Sequence, residues 1–293
     1  MTHLWRSLLF VPGDSDRKIA KSLTTAADIV IYDLEDAVVP EARREARQRV
    51  RDALTSPRVE GHARCVRINP MDTDDSLRDL KAVMPSNPDY IMLPKVSTVE
   101  DLDQLAGRID AFEHMHRLAV GRTKIIALMT ETAQMTLNLP MVTSLHPRVA
   151  ALTWGGEDLS AELGAIDNKD ANGNWTFTFQ LARSQCLLAA RACGVVALDT
   201  LFSDFRDSSG MQRHAAAAKR DGFDGVLSIH PNQVDVINGA FEPSDEEIAD
   251  AQAIVDAFAN APNQGALQLN GRMLDKPHLK LAQKILQLAK SRQ

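Results

Sequence analysis

Cysteine is scarce in this chain: Cys65, Cys186 and Cys193 are the only three among 293 residues, and no two form a CxxC pair. Three cannot all pair within one chain, so a disulfide scaffold is excluded. Cys65 falls in an apolar run and the other two on an apolar helix-like stretch, which predicts buried thiols in a reducing compartment. No Cys/His cluster has the spacing of a zinc site. A basic excess is also missing. Lys and Arg number 33 against 39 Asp and Glu, a formal charge of −6, which argues against a general nucleic-acid role. No apolar run is long enough to cross a membrane, and no signal-peptide pattern precedes the first apolar run, so a cytoplasmic location is expected. GxSxG, HExxH, Walker A and GxGxxG are all absent. Their absence removes several hydrolase, protease and nucleotide-binding readings.

What the chain does contain is eight short apolar runs, most of them closing on polar or charged residues. They are Ser7–Val11, Ile29–Tyr32, Cys65–Ile68, Tyr90–Leu93, Ile125–Met129, Val149–Trp154, Val195–Leu198 and Gly225–Ile229. Helix-like stretches separate most of them. Continuous apolar runs alternating with amphipathic helices predict parallel strands buried on both faces. Eight such units predict an α/β fold, a TIM (β/α)₈ barrel with its active site at the C-terminal mouth.

Helix signals fall between the runs. Asp14 to Asp16 can cap a helix through Ile19 and Leu23, and Pro40 suits the first turn of Glu41–Leu54. Val99–Phe112 carries Leu102, Leu105, Ile109 and Phe112 at helical spacing. The stretch Gln180–Cys193 is apolar on more than one side, as a helix packed between the barrel and a neighbour would be. The barrel is expected to occupy residues 1–243. A C-terminal helical extension over 244–293 opens on the capping box Ser244-Asp245-Glu246-Glu247, passes a turn-rich linker at Asn260–Gly265, and ends in a helix from about Pro277 to Ala289.

Glu131 and Asp158 follow the fifth and sixth runs, so neighbouring parallel strands would bring both carboxylates to one rim. Two acidic ligands with room for water and substrate suit Mg²⁺; equally, either acid can cap a helix or pair with a rim Arg. Asp33-Leu34-Glu35-Asp36 places three acids after the second run. One of them can orient metal-bound water or position a ligand; equally, they can form a solvated turn and cap the helix that starts at Pro40. Arg67 ends the third run and can grip a carboxylate, stabilise an oxyanion or neutralise the acidic rim. Lys95 fits a salt bridge as well as a substrate contact. Gly155-Gly156 permits close backbone approach. His230-Pro231 reads as a turn into a helix. Asp275 reads locally as an N-cap before Pro277, though its place on a C-terminal arm also allows docking over another subunit's barrel mouth.

Several motifs resemble the HpcH/HpaI aldolase and citrate lyase β-subunit superfamily, particularly its acyl-CoA lyases. They are Arg6-Ser-Leu-Leu-Phe-Val-Pro-Gly13, Asp33-Leu-Glu-Asp-Ala-Val38, Val66-Arg-Ile-Asn69, Glu131-Thr132 and Gly155-Gly-Glu-Asp-Leu-Ser-Ala161. Ala182-Arg-Ser184, Ala197-Leu-Asp-Thr200, Asp221-Gly-Phe-Asp-Gly225 and Ser228-Ile-His-Pro-Asn-Gln-Val234 continue the series. The resemblance covers nearly the whole chain in order. Two stretches depart from it. Thr130 stands where relatives often carry an aliphatic residue, and Ile166–Trp175 replaces a loop that in relatives contains an Arg.

The resemblance implies Glu131 and Asp158 as ligands of Mg²⁺, or of Mn²⁺ in its place, with Glu131 also at the substrate. It implies Arg67 as a catalytic and substrate-binding residue, and Glu35 and Asp36 beside the metal's waters. The ending Met273-Leu-Asp-Lys-Pro-His278 resembles the arm of malyl-CoA and citramalyl-CoA lyases, which implies Asp275 as an acid or base delivered to an adjacent subunit. A homo-oligomer, a trimer or hexamer, follows. The implied activity is cleavage of a short 3-hydroxyacyl-CoA dicarboxylate, citramalyl-CoA or malyl-CoA, to acetyl-CoA and a 2-oxo acid, coenzyme A being part of the substrate. A malyl-CoA thioesterase and a non-catalytic acyl-carrier-binding subunit are the competing expectations.

Overall fold

The computed structural model describes residues 4–57, 59–262 and 264–290. Met1–His3, from the N-terminal reading, and Asn263 of the expected linker lie outside them. The strands are β1 Ser7–Pro12, β2 Ile29–Asp33, β3 Ala63–Arg67, β4 Tyr90–Leu93, β5 Lys124–Leu128, β6 Val149–Thr153, β7 Val196–Asp199 and β8 Gly225–Ser228. All are parallel and pair in sequence order, with β1 closing on β8. This is the closed eight-stranded barrel expected. Its strands are buried because helices cover them outside and their own side chains fill the inside. Leu8, Ile29, Ile31, Cys65, Met92, Ile126, Leu198 and Leu227 belong to one interior cluster.

The covering helices are α1 Asp16–Ser22, α2 Arg43–Thr55, α3 Asp74–Val83, α4 Val99–Met115, α5 Ala133–Asn138, α6 Gly156–Leu163, α7 Phe177–Cys193, α8 Ser208–Asp221 and α9 Pro231–Phe241. The start of α4 is fixed by a capping box in which Thr98 and Asp101 satisfy each other's backbone. The N-cap of α1 falls within the expected Asp14–Asp16 stretch, at Ser15, but its side chain makes no capping bond. Cys65 and Cys186 are buried as expected, whereas Cys193, at the end of α7, is only half-buried. On α7, Phe179, Ala182, Cys186, Ala189 and Ala190 are buried, while Phe177, Leu181 and Leu188 are exposed.

The floor of the barrel carries a repeated device. An Asp just before a strand accepts a backbone N–H from the start of the neighbouring strand. Asp28 takes Arg6 N at 2.8 Å, Asp89 takes Arg64 N at 3.0 Å and Asp224 takes Ala197 N at 3.0 Å. Each pins the pairing register at the end opposite the mouth.

Contacts divide the chain into one compact unit ending at Asn238 and a second beginning at Gly239. The second holds α10 Asp245–Asn260, β9 Ala266–Leu269, β10 Arg272–Asp275 and α11 Lys276–Lys290. The Ser244–Glu247 capping box forms. The antiparallel β9–β10 hairpin is a structural feature that the sequence reading passed over. Its signal is Asn270-Gly271, whose φ angles of +50° and +76° suit a two-residue hairpin turn.

Candidate active site

The acids and bases singled out in the sequence, Asp275 excepted, gather at the C-terminal mouth of the barrel. Arg67, the last residue of β3, is held along its whole edge by Asp33 at the end of β2. Its Nε donates to Asp33 Oδ1 at 2.7 Å and its Nη2 to Oδ2 at 2.6 Å. Nη1 lies 3.0 Å from Glu35 Oε2, and the guanidinium carbon stands 4.8 Å from the Phe10 ring centroid. Burial works against the charge on Arg67, but Asp33, then Glu35 and Glu131, more than offset it and hold the guanidinium protonated. The sequence marks Asp33 only as one of three acids after the second run; the folded pairing of β2 with β3 is what commits it to Arg67.

Glu131, following β5, is almost wholly buried. Thr132, not Glu131, caps α5 by accepting from Met135 N, so the capping alternative for Glu131 does not hold. Instead Glu131 Oε2 accepts the backbone N–H of Lys95 at 2.5 Å. Burial, followed by the charges of Asp158 and Glu35, pushes the Glu131 carboxyl well above its ordinary range. Room for its side chain depends on Gly155: a Cβ there would lie 2.7 Å from Glu131 Cγ. The departure at Thr130 acquires a role beside it, because Thr130 Oγ1 accepts the Gly155 N–H at 3.3 Å and ties the ends of β5 and β6 together.

Asp158 lies in the first turn of α6, where a carboxylate also complements the helix dipole. Lys95, two residues after β4, bridges the group. Its Nζ bonds Glu35 and lies 3.2 Å from Asp36 Oδ1 and 3.6 Å from Asp158 Oδ1. Burial opposes the ammonium charge, and the bond to Glu35 with the neighbouring acids raises its pKa nonetheless. Glu35, buried, is pushed up by desolvation against the pull of Arg67 and Lys95. Lys95 adopts φ +51°, a left-handed conformation costing a non-glycine residue about 1–2 kcal/mol.

Beside this cluster lies a cavity of about 230 Å³ whose wall includes Arg67, Glu131, Asp158, Trp154, Thr200 and Leu227. On its far side Trp154 Nε1 donates to Asp199 at 2.6 Å, and Arg183 grips the same Asp199 through Nε and Nη2. The divergent stretch Ile166–Trp175 lays Trp175 edge-on to Trp154 at 5.0 Å between centroids and places Lys169 Nζ 4.7 Å from the Trp175 ring. His230 immediately precedes α9, as expected, and stacks on Phe205 with ring centroids 4.8 Å apart. Asp275 belongs to the second unit. It closes β10, immediately ahead of α11, and its Oδ1 lies 2.5 Å from His278 Nδ1.

A parallel barrel with an acidic, cation-bridged pocket at its C-terminal mouth defines an enzyme-type site of the (β/α)₈ class. The chain belongs to the HpcH/HpaI aldolase/citrate lyase family, whose sequence profile matches residues 6–231. It is 33% identical over 291 residues to a (3S)-malyl-CoA thioesterase of Cereibacter sphaeroides, covering 99% of this chain and 96% of that protein. It is 33% identical over 298 residues to the mitochondrial citramalyl-CoA lyase of Rattus norvegicus, covering 98% and 86%. The Mycobacterium tuberculosis protein CitE, solved in complex with magnesium, acetoacetate and coenzyme A, superposes with a TM-score of 0.83 at 34% identity, covering 98% of each chain. The expected enzyme class, a carbon–carbon lyase, is that of the family and of its citramalyl-CoA lyase member. Among the described residues no helix is long and apolar enough to cross a membrane.

Proposed function

We propose that this protein is a divalent-metal-dependent carbon–carbon lyase. Its substrate is a short 3-hydroxyacyl-CoA dicarboxylate, citramalyl-CoA or malyl-CoA, cleaved to acetyl-CoA and pyruvate or glyoxylate respectively. The carrying observation is charge. Five carboxylates, Asp33, Glu35, Asp36, Glu131 and Asp158, share one cluster with only two cations, Arg67 and Lys95. Glu131 is buried within it. An excess of carboxyl groups over cations, three of them buried, is the chemistry that a hard dication complements. Among the described residues no three His, Cys, Asp or Glu converge as a complete ligand cage. A two-carboxylate set suits Mg²⁺, which keeps waters and shares its sphere with substrate.

Glu131 and Asp158 would hold Mg²⁺, or Mn²⁺ in its place, with Glu131 also facing the substrate. The ion would supply electrostatic stabilisation at the substrate's hydroxyl and carboxylate oxygens. Glu35 and Asp36 accept hydrogen bonds beside that position and orient water. Arg67, pinned by Asp33, presents a fixed positive charge to the cavity. Each of its terminal nitrogens carries a second N–H able to meet the thioester oxygen as negative charge develops there. Asp275, supplied from an adjacent subunit of a homo-oligomer, exchanges the proton at the acetyl carbon. A trimer or hexamer satisfies that arrangement. The CitE complex with magnesium, acetoacetate and coenzyme A and the citramalyl-CoA lyase activity named for a relative support this reading.

The thioesterase reading is favoured by one specific observation, the likeness to the malyl-CoA thioesterase over 99% of this chain. The test is to incubate Mg²⁺-loaded protein with each thioester and identify all products by mass spectrometry. Acetyl-CoA with pyruvate or glyoxylate is the expected outcome. Free CoA with intact malate would instead make the protein a thioesterase, and no turnover would favour the acyl-carrier-binding subunit.

A further inference from the structure

Lys95 touches the acid cluster in two ways that no other residue described here combines. Its backbone N–H donates to Glu131 Oε2 at 2.5 Å. Its side chain turns the same way, bonding Glu35 and lying 3.2 Å from Asp36 and 3.6 Å from Asp158. The residue makes both contacts while holding a left-handed φ of +51°. A lysine that merely balanced surface charge would need neither the strained backbone nor a place among three carboxylates. Among the described residues the other cation bonded within the cluster, Arg67, is committed to Asp33 and Glu35.

We propose that Lys95 is the positioning residue of the carboxylate site. Its amide fixes Glu131, and its ammonium serves as the resident cation with which an incoming divalent ion competes. This rests on the reading of Glu131 and Asp158 as metal ligands. Two consequences follow from Coulomb's law. Removing the ammonium leaves the metal-free cluster more repulsive, and it also makes the cluster a stronger divalent-cation site. Lys95 thus keeps the site assembled yet only moderately attractive to the bare ion. Anionic substrate then supplies the further negative charge that secures the metal.

The experiment is titration of the metal-free protein with Mn²⁺, following the electron paramagnetic resonance signal of the free ion. Wild type, Lys95→Met, Lys95→Arg and Glu131→Gln are compared, with far-UV circular dichroism as the fold check. Lys95→Met should bind Mn²⁺ about tenfold more tightly, and its metal-free form should melt at a lower temperature than wild type. Lys95→Arg, which keeps the charge, should stay near wild type, and Glu131→Gln should bind at least tenfold more weakly. A residue that only held the loop together would weaken binding when replaced. Unchanged or weaker Mn²⁺ affinity in a folded Lys95→Met overturns the proposal; if that variant does not fold, Lys95→Gln carries the same test. Intact Mn²⁺ binding in Glu131→Gln removes the metal-site reading itself, and the role of Lys95 with it.

Discussion

An alanine at Gly155 would set its Cβ 2.7 Å from Glu131 Cγ and 3.0 Å from Glu131 Oε1, so the Glu131 side chain would have to move. Gly155→Ala is therefore expected to lower Mn²⁺ affinity by about 10- to 100-fold, measured by the same resonance titration, while the melting temperature changes little. Asp33→Asn acts differently. It removes the carboxylate that holds the Nε–Nη2 edge of a mostly buried guanidinium, leaving Glu35 as the remaining partner. A loss of about 3 kcal/mol in urea unfolding is expected, together with reduced turnover. At this scale the sequence was only partly legible. Glu131, Asp158, Glu35 and Asp36 could be picked out because each follows an apolar run, and Arg67 because it is the one charge near the end of such a run. The bond between Asp33 and Arg67 and the double contact of Lys95 could not, since each is defined by a partner 34 or 36 residues away and, for Lys95, by a backbone angle that no residue pattern announces.

Helices and strands were easier to read than their ends. The β4 strand spans Tyr90–Leu93, the residues of the apolar run, while β3 begins two residues earlier than its run because Ala63 and Arg64 pair with Ile29 and Val30. The hairpin of β9 and β10 was missed because β9 alternates between exposed and half-buried residues and β10 buries only Leu274, so neither forms an apolar run. Element-scale predictions follow from caps and bridges. Ser244→Ala removes the acceptor for Glu247 N, 3.1 Å away, and should destabilise α10 by about 1 kcal/mol in chemical unfolding. Between α2 and α3, Asp75 joins Arg43, Arg47 and Arg78. Partial burial works to raise its pKa, but the three guanidiniums prevail and lower it to about 2. With the folded value depressed, its stabilising contribution is complete above its ordinary carboxylate range and is lost as pH falls towards 2. Unfolding free energy measured between pH 5 and pH 2 should fall less steeply in Asp75→Asn than in wild type.

For the whole molecule, the division into two units frames a test of the assembly proposed above. If Asp275 serves a neighbouring subunit, Asp275→Asn and Glu131→Gln proteins should each lack lyase turnover. Mixing them under subunit exchange should then restore part of it, since some hybrid sites would combine an intact barrel with an intact arm. Independent sites would remain inactive after mixing, which mass-spectrometric product analysis would reveal. The barrel itself was the most legible property of the chain, because closure requires only that eight buried strands recur with covering helices between them.

The aspartates at the barrel floor have a consequence for how this protein tolerates change. With Asp28, Asp89 and Asp224 fixing the starts of neighbouring strands, the alignment of the staves does not depend on the loops at the opposite rim. Those loops are free to be lengthened, strained or exchanged, as the left-handed Lys95 and the divergent Ile166–Trp175 segment illustrate. Grafting a different mouth loop onto this chain should therefore alter what the protein acts upon before it alters whether the protein folds, whereas a change at the floor should do the reverse.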